Sequence, residues 1–368
     1  MEKIKKFALN ALLTAAAVLA ALLIAEFALR ALGYGILLPH ESMPDGYYTA
    51  NAQEGYDIAP NFATSTHGFV DGPYQIWSNN LGCFDEPYAG QQPYIYITGD
   101  SFAWGFAPFA QKWGTLLEQD LGIRTVKCGV AGFGTKQELA KATRLLAQLP
   151  VPTTVVLSYF ENDDEDDANF PNSLVYHGQL IKNLSGTTTP YNALMARLPQ
   201  FAQWAQEYCM WNEPAHPALQ RVKCFLRNNS ALYVLAQNGI KSLIPTALLK
   251  KLGIVNEDAP MVASSAQSDT AHLENLLGFK ILAKQKGAKL FVAFIPPKEF
   301  AIATSGDPYA GVKKFLDQNG IAYFDPMSQF RTALAQGAQL YWTHDLHFNS
   351  AGNALFARAI EDYLQSHP

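Results

Sequence analysis

From Tyr94 to the C-terminus the chain alternates short apolar runs with stretches of helical period, and this rhythm restricts the fold more than any other feature. The runs Tyr94–Thr98, Thr125–Cys128, Thr154–Tyr159, Leu290–Ile295 and Ile321–Phe324 have the length and composition of buried strands. Between them, Trp113–Leu121 reads as a helix, and Thr135–Glu138 as a capping box that opens another, with Leu139, Ala142, Leu145 and Leu146 on one face. Leu273, Leu276, Leu277 and Ile281 mark a third helix that Gly287 ends, and further helices are expected at Gly311–Gln318 and Ser350–Leu364. Strands separated by helices pair in parallel and need cover on both faces, so the expected class is α/β. In such sheets catalytic residues gather where the strands end.

The residues before Tyr94 follow other rules. Lys3, Lys5 and Lys6 precede a run, Phe7–Ala25, that is apolar apart from Asn10 and Thr14. A bilayer needs roughly 20 apolar residues, so residues 1–35 read as a membrane anchor with the N-terminus inside and the bulk of the chain outside the cytoplasm. A cleaved signal peptide and a buried core helix are the other readings. Residues 36–93 are rich in Gly, Pro, Asn and Tyr and read as lead-in loops and short strands. Residues 94–368 read as one catalytic domain, interrupted at about 163–263 by a partly helical insertion with helices near Phe201–Met210, Ala231–Gln237 and Pro245–Leu249. Of the cysteines, Cys209 and Cys224 are the first candidates for a bridge, Cys83 is unassigned, and Cys128 on its strand reads as a small hydrophobe. A net charge of -5 gives no reason to expect nucleic acid.

Four places carry chemistry. Ser101, in Gly99-Asp-Ser-Phe-Ala-Trp-Gly105, follows a strand and opens a helical segment. The glycine-rich turn Gly129–Gly134 follows the next strand, and glycine lets a backbone N–H approach a ligand. Asn162 ends the third strand, where its amide can donate to an oxyanion. Asp345 and His347 stand two residues apart before the last helix. A serine hydroxyl needs a base to take its proton, and the base needs an anion to fix its tautomer. His347 is preferred to His344 for that base, and Asp100 is given a structural role in the turn.

Together these blocks resemble the SGNH, or GDSL, hydrolases, in the order Gly-Asp-Ser, Gly, Asn, then Asp and His. A bacterial subset with an N-terminal anchor is similar in two further motifs, matched by Asn79-Asn-Leu-Gly82 and Gly132-Phe-Gly-Thr-Lys-Gln-Glu138. The similarity spans roughly Gln75–Asp167 and Ala271 to the end. The chain departs from the pattern at Phe160, where the family usually has Gly, and at Cys83-Phe-Asp85, where the subset usually has an aromatic-Arg pair. The resemblance implies a three-layer α/β/α flavodoxin-like fold and a Ser101–His347–Asp345 triad. It implies an oxyanion hole made by the Ser101 N–H, the Gly132 N–H and the Asn162 amide, with no metal or organic cofactor. It points to an O-acyl group, foremost O-acetyl, on a cell-envelope or exported polysaccharide, with the polysaccharide-biosynthesis machinery as a possible partner. Hydrolysis of the ester is preferred to acyl transfer, and a non-catalytic glycan-binding protein is the reading from another class.

Overall fold

The computed structural model describes residues 2–31, 43–168, 170, 173–176, 178–182, 191–209, 214–236, 270–303 and 306–367. The helix expected at Pro245–Leu249 lies outside them. Residues 1–40 and 196–263 form one unit, and residues 41–195 and 264–368 form another.

The larger unit is built on five parallel strands, β5 (Tyr94–Gly99), β6 (Arg124–Lys127), β7 (Thr154–Tyr159), β10 (Lys289–Phe294) and β11 (Ala322–Phe324), in the order β11-β10-β7-β5-β6. Numbered among themselves the strands run 2-1-3-4-5, the flavodoxin-like order. Side chains alternate across a strand, so β5 sends Tyr94 and Tyr96 to one face and Ile95 and Ile97 to the other. The first face is covered by α4 (Thr135–Leu146), α8 (Thr270–Lys286) and α10 (Ala310–Gln318), through Ala142, Leu146, Leu276, Phe279 and Leu316. The second is covered by α3 (Trp113–Leu121), α11 (Met327–Ala335) and α12 (Ser350–Ser366), through Trp113, Leu117, Phe330, Phe356 and Ile360. Three layers result.

The α4 terminus differs from the expected capping box. Gly134, not a serine or threonine, is the N-cap. The Thr135 hydroxyl donates instead to Asp167 at 2.6 Å. Glu138 does not turn back to the cap: its carboxylate is fully buried and neither oxygen has a hydrogen-bond partner among the described residues.

The lead-in is more ordered than its composition suggests. It makes two antiparallel hairpins, β1 (Tyr48–Asn51) with β2 (Gly55–Ile58), and β3 (Ser65–His67) with β4 (Tyr74–Ile76). Tyr47, Tyr56, Phe69, Phe84, Trp104, Phe106 and Phe133 form a third, aromatic core between these hairpins and the sheet edge. Buried ions tie the first hairpin to α4: Lys141 donates to Asp57 at 2.6 Å, and Arg144 donates to Glu54 at 2.8 Å and to Asp57 at 2.6 Å. Asp85 accepts from Lys127 at 2.9 Å and Arg124 at 2.8 Å, which gives the unusual Cys-Phe-Asp segment its place beneath β6. Cys128 is bonded to Cys83 and is not the free core thiol expected. After β7 come the short α5 (Asp163–Ala168) and a hairpin, β8 (Ser173–Tyr176) with β9 (Gln179–Lys182).

The smaller unit holds α1 (Glu2–Ala31), of which Leu9–Ala31, 23 residues, is long and apolar enough to cross a membrane. It also holds the C-terminal part of α6 (Tyr191–Tyr208), α7 (Pro217–Asn229) and a helical stretch at 231–236. A Cys209–Cys224 disulfide joins α7 to the end of α6, as expected.

Candidate active site

In the 2-1-3-4-5 order the sheet reverses between β5 and β7, and ligands of open parallel sheets sit outside the strand ends at that point. Ser101 stands there. The chain leaves β5 through Gly99, whose φ is +148° and where a Cβ would lie 2.6 Å from the Ser158 carbonyl oxygen and 2.8 Å from Ala103 Cβ. Only glycine fits, and the sharp exit lifts the next residues above the sheet edge. Asp100 then caps the short α2 (Ser101–Trp104) by accepting the Phe102 N–H at 2.9 Å.

The histidine comes from the other end of the sequence. Tyr341 and Phe348 form an isolated antiparallel bridge, and Asn349 caps α12 by accepting the Ala351 and Gly352 N–H groups at 2.9 and 3.1 Å. His347 directly precedes both fixtures. The Trp342 N–H donates to the His347 carbonyl at 3.0 Å, and Lys298 Nζ, at the start of α9 (Lys298–Ala303), donates to the Trp342 and Asp345 carbonyls at 2.9 and 3.2 Å.

The side chains meet in one hydrogen-bonded chain. Asp345 Oδ1 accepts both the backbone N–H of His347, at 2.8 Å, and its ring Nδ1, at 2.6 Å. With the proton on Nδ1, Nε2 is left as an acceptor, and it lies 2.7 Å from Ser101 Oγ. The hydroxyl also has Asp100 Oδ2 at 3.2 Å, but the shorter contact claims its single proton. Burial raises the Asp345 carboxyl, but hydrogen bonds and charge from His347, with Lys298 nearby, leave it below its ordinary value, so it stays an anion. Asp100 goes the other way: complete burial pushes it up to about 6.

Gly132 and Asn162 follow β6 and β7, the two neighbours of β5, and so stand on either side of Ser101 along one sheet edge. Gly132 is buried with φ +79°. Asn162 Nδ2 donates to Asp166 at 2.8 Å, which holds the amide in place and leaves its second N–H available. His344 stays apart: its side chain is 43% exposed and its Nδ1 lies 3.0 Å from Asp71. Phe160 is 8% exposed, and its ring turns into the core against Phe102 at 4.6 Å.

Two residues at the site carry no signal in the sequence. Phe106 stacks on the His347 ring at 4.2 Å and 19°, and Phe102 meets it at 4.7 Å and 45°. The imidazole thus packs against two aromatic rings, one of them braced by Phe69 and Trp104. An aromatic beside a nucleophilic serine is no motif, and only the fold brings these rings to His347.

No family model matches the chain, and no curated protein does. Among solved structures it is similar to a lipolytic protein of the G-D-S-L family from Veillonella parvula DSM 2008, at 11% identity over 74% of this chain and 98% of the other, TM-score 0.39. It is similar to an acetyl xylan esterase at 12% identity, over 74% of this chain and 99% of the other, TM-score 0.37. A two-domain esterase active on acetylated mannans is similar at 11% identity, over 74% of this chain and 49% of the other, TM-score 0.38. Likenesses of this size add nothing to the site, and the functional reading rests on its geometry.

Proposed function

We propose that the chain is a serine esterase, and the observation that carries this reading is the chain Asp345–His347–Ser101 with contacts of 2.6 and 2.7 Å. His347 Nε2 takes the Ser101 proton as Oγ attacks an ester carbonyl, and Asp345 holds the ring and balances the imidazolium. The Ser101 and Gly132 N–H groups and the Asn162 amide receive the oxyanion. His347 returns the proton to the leaving alcohol, and water, deprotonated by the same ring, resolves the acyl-enzyme. A fluorophosphonate probe should label the wild type and neither Ser101→Ala nor His347→Ala, while His344→Ala labels normally. Equal labelling of all four would end the proposal.

The finer reading is an O-acyl, foremost O-acetyl, ester of an envelope or exported polysaccharide, acted on outside the cytoplasm. What supports it is the anchor together with the resemblance in the Asn79–Gly82 and Gly132–Glu138 motifs. An anchor is favoured over a cleaved signal by Glu26, whose carboxylate accepts from Ser230 Oγ and from the Ala231 and Leu232 N–H groups, each at 2.9 Å. Cleavage after the span would strip a helix N-terminus of its acceptor. Full-length protein should therefore resist carbonate extraction and be digested by protease only from the outer side. A shortened soluble product would refute the anchor. Transfer to a sugar hydroxyl is the second reading, favoured by the two-residue Asp-x-His spacing. Acetylated sugar formed at the expense of free acetate, when an activated acetyl ester is supplied with oligosaccharide, would select it.

A further inference from the structure

Helix α7 has two faces, and its bonds fix which one looks outward. At about 100° per residue, Phe225, Ala218, Val222, Leu226 and Leu219 fall within one arc of about 120°. Cys224 and Gln220 lie opposite. Cys224 is tied to Cys209, and Gln220 Nε2 donates to the Tyr208 carbonyl at 2.8 Å, so the polar side packs on the end of α6. The apolar arc is left open: Leu219, Val222 and Phe225 are 53, 55 and 65% exposed. Arg221 borders one edge of the arc and Lys223 the other, with Arg227 beyond it, and α7 contains no acidic residue. Single exposed apolar residues are ordinary, but a contiguous stripe marks something that covers it.

The same unit says what that is. Arg30, in the last turn of α1, donates to the Asn229 carbonyl at 2.8 Å, and Glu26 caps the helical stretch 231–236 that follows. The end of the apolar span is therefore fastened to the C-terminal end of α7. A helix that leaves the bilayer at Ala31 holds α7 at the surface it leaves.

We propose that α7 lies in the outer membrane–water interface, its Leu219–Val222–Phe225 stripe at the acyl boundary and Lys223 and Arg227 among lipid phosphates. Apolar residues on one face and basic ones on the other are what such helices carry. The inference rests on the anchor reading, and the test separates the two. Full-length protein is reconstituted in phosphatidylethanolamine–phosphatidylglycerol vesicles with a benzophenone amino acid replacing Leu19, Val222, Phe225 or Arg227, one at a time. After irradiation, the Leu19, Val222 and Phe225 variants should each gain the mass of one phospholipid, and the Arg227 variant several-fold less. Lipid at position 19 with a protein cross-link, or none, at 222 and 225 overturns the interfacial helix and leaves the anchor standing. Lipid at 222 and 225 without lipid at 19 keeps the helix and removes the anchor, and lipid at none of them removes both.

Discussion

At the scale of single residues the site turns on how well one imidazole is held. Asp345 fixes His347 from one side with two bonds from a single oxygen, and Phe106 and Phe102 pack against its ring. An aromatic face attracts a cation, by about 0.5–2 kcal/mol, and attracts a neutral ring far less. These rings therefore attract the positive charge that the proposed attack of Ser101 would place on the imidazole. Phe106→Leu keeps the volume and removes the quadrupole. The positive charge on the imidazole then loses that attraction, and kcat/KM with an activated ester should fall roughly two- to thirtyfold. An unchanged kcat/KM would reduce Phe106 to a spacer. Ser101, His347 and Asp345 are legible because catalysis demands those residue types. Phe106 is not, because its partner is about 240 positions away and any apolar residue would satisfy the local pattern.

At the scale of elements, the sheet is legible and its surroundings are less so. β5, β7 and β10 are short runs of buried residues on both faces, a pattern that few alternatives share. Helix α11 escapes notice because it is short and opens on Pro326 without a side-chain cap, and of its residues only Met327 and Phe330 are buried. The lead-in strands are expected but not placed or paired, because they are three or four residues long and are held from outside. The first hairpin is fastened by the ions of α4, some 80 residues on. Lys141, with no exposed surface, bonds Asp57 and the Gly82 carbonyl, while Arg144 joins Asp57 and Glu54. Removing one partner leaves a buried charge unpaired, at about 3–5 kcal/mol. Asp57→Ala should cost that much in urea unfolding. Asp57→Leu with Lys141→Met should recover a good part of it, since an apolar pair carries no uncompensated charge. A double variant as weak as the single one would mean that the ions specify the packing here and do more than balance each other.

For the whole molecule, buried carboxyls of the larger unit make stability depend on pH. Glu138 and Asp163 are both fully buried beneath the strand ends. Burial holds both carboxyls well above the ordinary range, helped by Asp100 and Asp167 at Glu138 and by Glu138 and Asp100 at Asp163. Their neutral forms are the ones the fold accepts. A carboxyl whose pKa is higher in the folded than in the unfolded chain contributes fully below the unfolded value. That contribution is lost as pH rises through the folded value, by about 1.4 kcal/mol per unit per group. Asp100, raised to about 6, adds to the same trend. Asp345 and Glu118, both lowered, act with the opposite sign, but only at pH below the ordinary carboxylate range. The contribution of Glu138, Asp163 and Asp100 should therefore be largest in mildly acidic solution and decline towards alkaline pH. Glu138→Gln keeps the shape of the side chain and removes its ionisation. Its melting temperature should fall near or slightly below that of the wild type at pH 5 and above it at pH 9. Parallel curves for the two proteins across that range would mean that Glu138 does not hold its proton in the fold, and that an unseen donor satisfies the carboxylate.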